Sequence, residues 1–191
     1  MKIDFAADKF SSTITSERLI LRAVTPASSA RIFDGIISSL SSLREFPATL
    51  PWAVGEQTLE MTQQFCIDAT EKFVHRREAI YEITPAYDLN AFCGLVGMHG
   101  IRWDEPKCEI GFWGASSMGL HGYMTEAVAA CVKSLRESRF RRITAVCDSE
   151  NLRAINVCRR AGFEQEGFQR NERRNRFDGT LRHMVLFSIV V

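Results

Sequence analysis

No stretch of the sequence approaches the ~20 consecutive apolar residues needed to cross a bilayer, and the N-terminal MKIDFAADKF lacks the apolar segment of a secretory signal. A cytoplasmic protein is expected. The six cysteines (Cys66, Cys93, Cys108, Cys131, Cys147 and Cys158) form no CxxC pair and keep no metal-ligand spacing with the four histidines, so no metal is expected. Most lie in apolar runs, as Cys131 does in Ala129-Ala130-Cys131-Val132, the pattern of reduced, buried thiols. An excess of one charge is missing too. The 24 Lys and Arg against 23 Asp and Glu leave a formal +1, which argues against a dedicated nucleic-acid binder. Internal repeats, low-complexity tracts and long Pro-, Gly- or Ser-rich linkers are absent. One domain over residues 1–191 is therefore expected, long enough for a proper core.

Arginine is what the second half has in plenty, in Arg139-Phe140-Arg141-Arg142, Arg159-Arg160 and Arg173-Arg174-Asn175-Arg176. Most of these suit a solvated face, and a few suit the phosphates of an anionic cofactor. Branched apolar residues from Thr15 to Val24 predict a first strand. Thr25 and Pro26 read as the cap and first residue of a helix through Ile36. Ser38 to Trp52 is mixed, broken by Pro47 and Pro51; Glu56 to Arg76 has helical periodicity. Ala79 to Ala86, Ala91 to Trp103 and Lys107 to Trp113 predict a meander, with Gly94, Gly97 and Gly100 marking a bend or bulge. A helix from Gly122 to Phe140, a strand from Ile143 to Cys147, a helix from Asn151 to Ala161 and strands at Phe163 to Phe168 and Arg182 to Val190 complete an α/β mixture on a central mixed sheet.

The most informative stretch runs from Glu109-Ile110-Gly111-Phe112-Trp113-Gly114 through Met118-Gly119-Leu120-His121 to Gly122-Tyr123-Met124-Thr125-Glu126-Ala127. It is a strand, a glycine-containing loop and a helix start. A helix N-terminus offers unpaired N–H groups and partial positive charge to a phosphate. The stretch is neither a Walker loop nor a dinucleotide GxGxxG. It resembles the acetyl-CoA pyrophosphate loop of GNAT acetyltransferases, in the version of the RimJ/RimL branch, where a Gly-Tyr-Trp strand leads to Gly-x-Gly-Tyr-x-Thr-Glu-Ala. Ser117 stands where Arg or Gln is usual, and Leu120 where the first glycine is usual. A second match is Asn151-Leu152-Arg153-Ala154-Ile155-Asn156-Val157-Cys158 with Ala161-Gly162-Phe163 and Glu166-Gly167. Weaker ones are Arg18-Leu19-Ile20-Leu21-Arg22, Leu50-Pro51-Trp52 and Cys93-Gly94-Leu95-Val96-Gly97.

The resemblance implies a GNAT fold, a mixed, mostly antiparallel sheet of about seven strands flanked by about four helices. It implies acetyl transfer from acetyl-CoA, the co-substrate, to a primary amine in a ternary complex. The acceptor is either a protein N-terminus or a small amine. Phe112, Trp113, Gly114, Met118, Gly119, Leu120, His121, Gly122, Tyr123, Met124, Asn151, Asn156 and Arg159 are the cofactor-binding candidates it assigns. Glu109 is the first candidate for the base, with Glu172 and Glu82 as runners-up. Phe112 to Gly114 offers backbone N–H groups to an oxyanion, aimed by a strand bulge. The leaving thiolate needs an acid where many relatives carry tyrosine; this chain has Cys158 there, and Tyr123 is the alternative. The acceptor pocket is expected from Ser38 to Trp52, the following helix and the loop from Arg170 to Asp178. A homodimer is compatible with the sequence. The other function classes are a CoA-binding module without transferase activity and, on the arginine clusters alone, a nucleic-acid-binding domain, which predicts strongly salt-dependent binding.

Overall fold

A computed structural model of the protein describes residues 10–119 and 121–191. Its elements are β1 (Thr13–Thr15), β2 (Leu19–Ala23), α1 (Ser29–Leu43), α2 (Leu59–Val74), β3 (Ala79–Pro85), β4 (Gly94–Arg102), β5 (Lys107–Gly114), α3 (Tyr123–Glu137), β6 (Arg142–Asp148), α4 (Leu152–Arg160), β7 (Glu164–Arg174) and β8 (Leu181–Val190). The strands make one eight-stranded sheet in the order β1-β2-β3-β4-β5-β6-β8-β7. Every pairing is antiparallel except the parallel β5–β6 pair.

Three expectations shift. The strand expected to end at Phe168 runs as β7 to Arg174, paired with β8, so the first part of the expected loop from Arg170 to Asp178 is strand. The single first strand is a hairpin, because the chain turns at Ser16–Arg18, where Ser16 N–H donates to Leu19 O at 3.0 Å. Polar groups of that turn bind a carboxylate on α3, described below, so the extended run is interrupted by a partner distant in sequence. The first helix opens as a 3₁₀ turn at Pro26–Ser28 and then runs as α1 to Leu43, seven residues beyond the expected end at Ile36. Its serines are weak helix formers, but Ser38 Oγ and Ser42 Oγ donate to Gly35 O and Ser39 O within the helix, at 3.2 and 2.9 Å. Ser39, nearly fully buried, accepts from Ser116 N–H at 2.9 Å, which ties α1 to the loop after β5.

Period-two alternation assigns the two sheet faces. Val96, Met98, Cys108, Ile110, Ile143 and Phe187 pack with Ala127, Val128, Cys131 and Leu135 of α3 in the main core. Leu95, Trp113 and Ile80 face the other way, against Ile32 and Ile36 of α1 and Cys66 and Ala69 of α2. Each fully buried Leu, Ile or Val contributes about 1.5–3 kcal/mol to this arrangement. The cysteines are all free and buried, and burial pushes Cys66 and Cys93 up to about 11 and Cys108 up to about 12. Among the described residues no helix is long and apolar enough to cross a membrane.

The candidate active site

Where β5 leaves β6, the sheet opens. The parallel ladder covers only Lys107, Cys108 and Glu109 against Arg142, Ile143 and Thr144. From Ile110 to Gly114, β5 keeps β4 on one edge and has no strand on the other. The β4–β5 ladder is regular through Phe112 and Trp113, and its irregularity lies between His99 and Arg102. The bulge expected at Phe112–Gly114 is therefore absent; divergence of the two parallel strands frees that edge instead. Gly94 is required at the start of β4, because its φ is +132° and a Cβ there would stand 2.1 Å from Trp113 O.

The loop after β5 carries Met118 in a 3₁₀ turn, then Gly119 with φ 57° and ψ −156°, a conformation open to glycine. Leu120 lies outside the described residues. Gly122, in the left-handed region, is the N-cap of α3 and supplies no side-chain cap, so the N–H groups of the first turn stay available. Met124 packs toward the end of β5, its Cε 3.7 Å from where a Gly114 Cβ would stand. His121 is exposed, and its ring lies 5.4 Å from that of half-buried Tyr123.

Arg18, just before β2, clasps this helix start. Its Nη2 is 2.6 Å from Glu126 Oε2, its Nε donates to the same oxygen at 2.7 Å, and its Nη1 donates to His121 O at 3.2 Å. The guanidinium also sits 5.0 Å from the centre of the Tyr123 ring. Ser16 Oγ and Arg18 N–H donate to Glu126 Oε1 at 2.7 and 2.8 Å. Burial, the largest single influence on Glu126, opposes its ionisation, but the hydrogen bonds from Ser16 and Arg18 outweigh it and hold the carboxyl below its usual range. Sequence reasoning used Arg18 only as a loose match, since nothing local connects it to Glu126.

On the far side of the opening, Asn151 caps α4, its Oδ1 accepting from Ala154 N–H at 3.0 Å. The turn before it is stapled by Asp148, which is fully buried and takes two 2.9 Å hydrogen bonds from Arg182 on β8. Arg182 also meets Glu150 at 2.8 Å, and these partners push its pKa up, with Asp148 the larger cause. Asn156 and Arg159 are exposed on α4. Cys158 is turned inward without exposed surface, its Sγ 3.6 Å from Cys147 Sγ. Hydrogen bonding within this pair lowers Cys158 and raises Cys147.

A cavity of about 490 Å³ separates the α1–α2 layer from β3, β4 and β5. Glu109 and His99, paired residues of β5 and β4, face into it, with Phe112 and Trp113 further along. Gly97 and Gly111 form a paired floor under the imidazole, since a Cβ on Gly97 would lie 2.5 Å from His99 Nε2. His99 Nδ1 points toward Glu78, 3.8 Å away, and Glu78 is also held by Lys72 at 3.0 Å. Residues of the 38–52 segment and of α2 line the cavity, while none of the 170–178 segment does. Glu172 is exposed on β7. Glu82 is buried outside this lining, its Oε1 accepting from Ser28 Oγ at 3.1 Å and its Oε2 in a looser ion pair with Arg31, 3.7 Å away. Among the described residues no cluster of His, Cys, Asp or Glu is placed to hold a metal.

The fold that carries this site has known counterparts. Residues 18–164 match the family model of the acetyltransferase (GNAT) domain. No curated protein matches the sequence. Among solved structures, RimL, an alpha-N-protein acetyltransferase of a ribosomal protein in complex with coenzyme A, superposes with TM-score 0.83 at 19% identity, over 94% of this chain and 98% of that one. The microcin C7 self-immunity acetyltransferase MccE, in complex with acetyl-CoA and AMP, gives TM-score 0.84 at 16% identity, over 96% and 99%. Mycobacterium smegmatis RimJ, in complex with CoA-disulfide, gives 0.79 at 20%, over 91% and 82%. At these identities the likeness establishes the fold, a mixed sheet with four helices, while the family match covers most of the chain. The protein belongs to the GNAT family of acetyltransferases, with acetyl-CoA as its co-substrate.

Proposed function

We propose that this chain, acting as one transferase domain over residues 1–191, acetylates a primary amine held in the cavity between the α1–α2 layer and β4–β5. The observation that carries the reading is the position of Glu109. It is the last β5 residue paired with β6, and its side chain lines the cavity just where the strand edge opens. No other described residue hydrogen-bonds or ion-pairs with its carboxylate, so it is available to an incoming ammonium.

Acetyl-CoA supplies the activated acetyl group as a thioester. The open N–H groups at the start of α3, with Gly119, His121, Gly122, Tyr123 and Met124 around them, suit its pyrophosphate. Leu120 belongs to the same loop by sequence. Asn151 uses Oδ1 for its cap and leaves Nδ2 for the pantetheine arm, and Asn156, Arg159 and Met118 border that route. The unpaired β5 edge offers the N–H groups of Phe112 and Gly114 to the carbonyl oxygen, while Trp113 between them turns its N–H to β4. Glu109 takes a proton from the amine as the C–N bond forms and the C–S bond breaks. Tyr123, beside the clasp of Arg18, is the donor we assign to the leaving thiolate, since Cys158 faces Cys147 inside the core. A protein α-amino group, with pKa ~8, is neutralised more readily than a lysine at ~10.4. The action of RimL on a ribosomal protein keeps that acceptor class in view.

Calorimetric titration with acetyl-CoA, beside a Gly122→Trp variant checked for folding, tests the cofactor part. Micromolar binding, about −8 kcal/mol, lost in the variant is expected. No binding by the folded wild type at millimolar cofactor overturns it. One observation favours a non-catalytic CoA-binding module, the seclusion of Cys158 where relatives carry an acid. That reading predicts binding without amine-dependent CoA release.

A further inference from the structure

The polar side chains around the cavity are fewer than its lining suggests. Thr49 Oγ1 donates to Phe46 O at 3.0 Å, and Thr62 Oγ1 to Thr58 O at 3.2 Å. Gln57 Nε2 donates to Trp52 O at 2.9 Å and Gly55 O at 3.2 Å. Each of these donors is engaged by nearby backbone. With those donors spent, only neutral acceptor oxygens of Thr49, Gln57 and Thr62 interrupt an apolar wall, formed by Leu50, Trp52, Met61, Phe65, Leu95 and Trp113, and the one end that carries a carboxylate is formed by Glu109 beside His99. The rings of Trp52 and Trp113 stand 6.1 Å apart, tilted by 54°. Trp52 and Met61 are exposed at 40% and 55%, large apolar groups at the mouth with no cover among the described residues.

Charge narrows the guest further. No Lys or Arg lines the cavity, and Glu109 is its single carboxylate. A guest carboxylate would lie near Glu109 with no cation to pair it, and a second ammonium would enter an apolar wall unpaired. Both carry the desolvation penalty of an uncompensated charge. One ammonium finds Glu109, and an uncharged body finds the wall. The volume of about 490 Å³ lies within the ~300–1,000 Å³ of small-molecule sites.

We infer, resting on the transferase reading above, that the acceptor is a monoamine borne on an uncharged apolar body, aromatic or branched aliphatic. Polyamines, free amino acids and peptides that begin with a small polar residue are disfavoured. The same chemistry arises in a free arylalkylamine and in a peptide whose first side chain is aromatic.

The test compares five acceptors at saturating acetyl-CoA, read as CoA thiol released: 2-phenylethylamine, a peptide beginning with Phe, the same peptide beginning with Ser, spermidine and free phenylalanine. One of the first two should exceed spermidine and free phenylalanine by about 100-fold or more in kcat/KM, and the Phe peptide should exceed the Ser peptide by at least about tenfold. Whichever of the two leads identifies the source. A Met61→Glu variant adds a second carboxylate at an exposed position of the mouth. It should narrow the phenylethylamine-to-spermidine ratio about tenfold while acetyl-CoA affinity stays unchanged. Preference for spermidine, free phenylalanine or the Ser peptide overturns the inference, as does a ratio that Met61→Glu leaves unmoved. Acetyl-CoA binding without turnover of either apolar amine also overturns it and leaves the cofactor site standing. Failure to bind acetyl-CoA removes the transferase reading itself.

Discussion

Replacing Asp148 with alanine removes a carboxylate that has no exposed surface and holds the β6–α4 turn. It accepts two hydrogen bonds from Arg182 at 2.9 Å and one from Glu150 N–H at 3.0 Å. Breaking a buried ion pair by removing one partner costs about 3–5 kcal/mol. Here Arg182 keeps Glu150 and retains 24% side-chain exposure, so water compensates part of the loss. The N–H of Glu150 loses its acceptor, which adds about 1 kcal/mol. A net destabilisation of about 2–4 kcal/mol follows, and at ~2–4 °C per kcal/mol for a chain of this size Tm falls by about 4–16 °C. The turn leads directly to Asn151, so looser α4 capping should raise the KM for acetyl-CoA more than it lowers kcat. Asp148→Asn keeps an acceptor for Glu150 N–H and should lose roughly half as much stability. Calorimetric melting of both variants at equal concentration measures the first part, and initial rates against acetyl-CoA measure the second. A Tm within about 1 °C of wild type for Asp148→Ala would refute the reasoning, because no arrangement of the remaining groups replaces that acceptor.

Three other perturbations test separate parts of the site. Glu126 titrates below its unfolded value of ~4.3, so its clasp with Ser16 and Arg18 stabilises the fold fully above that pH and fades as pH falls through the lower folded value. Melting temperatures from pH 7 to pH 3 should show that acid limb flattened in Glu126→Gln. Tyr123→Phe should lower kcat about 10–100-fold with acetyl-CoA affinity within threefold, whereas Cys158→Ala should cost about 1–2 kcal/mol of stability and leave kcat within threefold. Equal loss of kcat in Cys158→Ala would return the acid role to that thiol. Gly97→Ala places a methyl group 2.5 Å from His99 Nε2 and must swing the imidazole away; acceptor KM should rise several-fold with little change for acetyl-CoA, read from initial rates.

Order and type of the elements were legible because each carries its own periodicity, down to the three-residue spacing that makes Asn151 the cap of α4. What local pattern does not carry was read less well. The first strand divides because Glu126 reaches it from 108 residues away. α1 runs on through the serine-rich 38–42 stretch because Leu40 and Leu43 continue the apolar face of Ile32 and Ile36, and Ser39 binds a backbone N–H 77 residues on. The cofactor loop was legible from glycine spacing and the strand–helix junction. The opening beside it was not, since it depends on how far the β5–β6 ladder extends. Cys158 read as a possible acid in sequence and lies in the core, because its neighbour is fixed by the position of β6. The cavity was foreseen from two of its three expected segments. Its apolar character was hidden, because Thr49, Gln57 and Thr62 read as polar until their backbone partners are known.

Amine-dependent release of CoA, compared between wild type and Glu109→Gln at saturating acetyl-CoA and an amine the wild type accepts, tests the central claim most directly. Removal of a positioned base predicts a fall in kcat of about 10²–10⁴-fold, with acetyl-CoA affinity and Tm unchanged. A Glu109→Gln enzyme that releases CoA at the wild-type rate would contradict the account of this site.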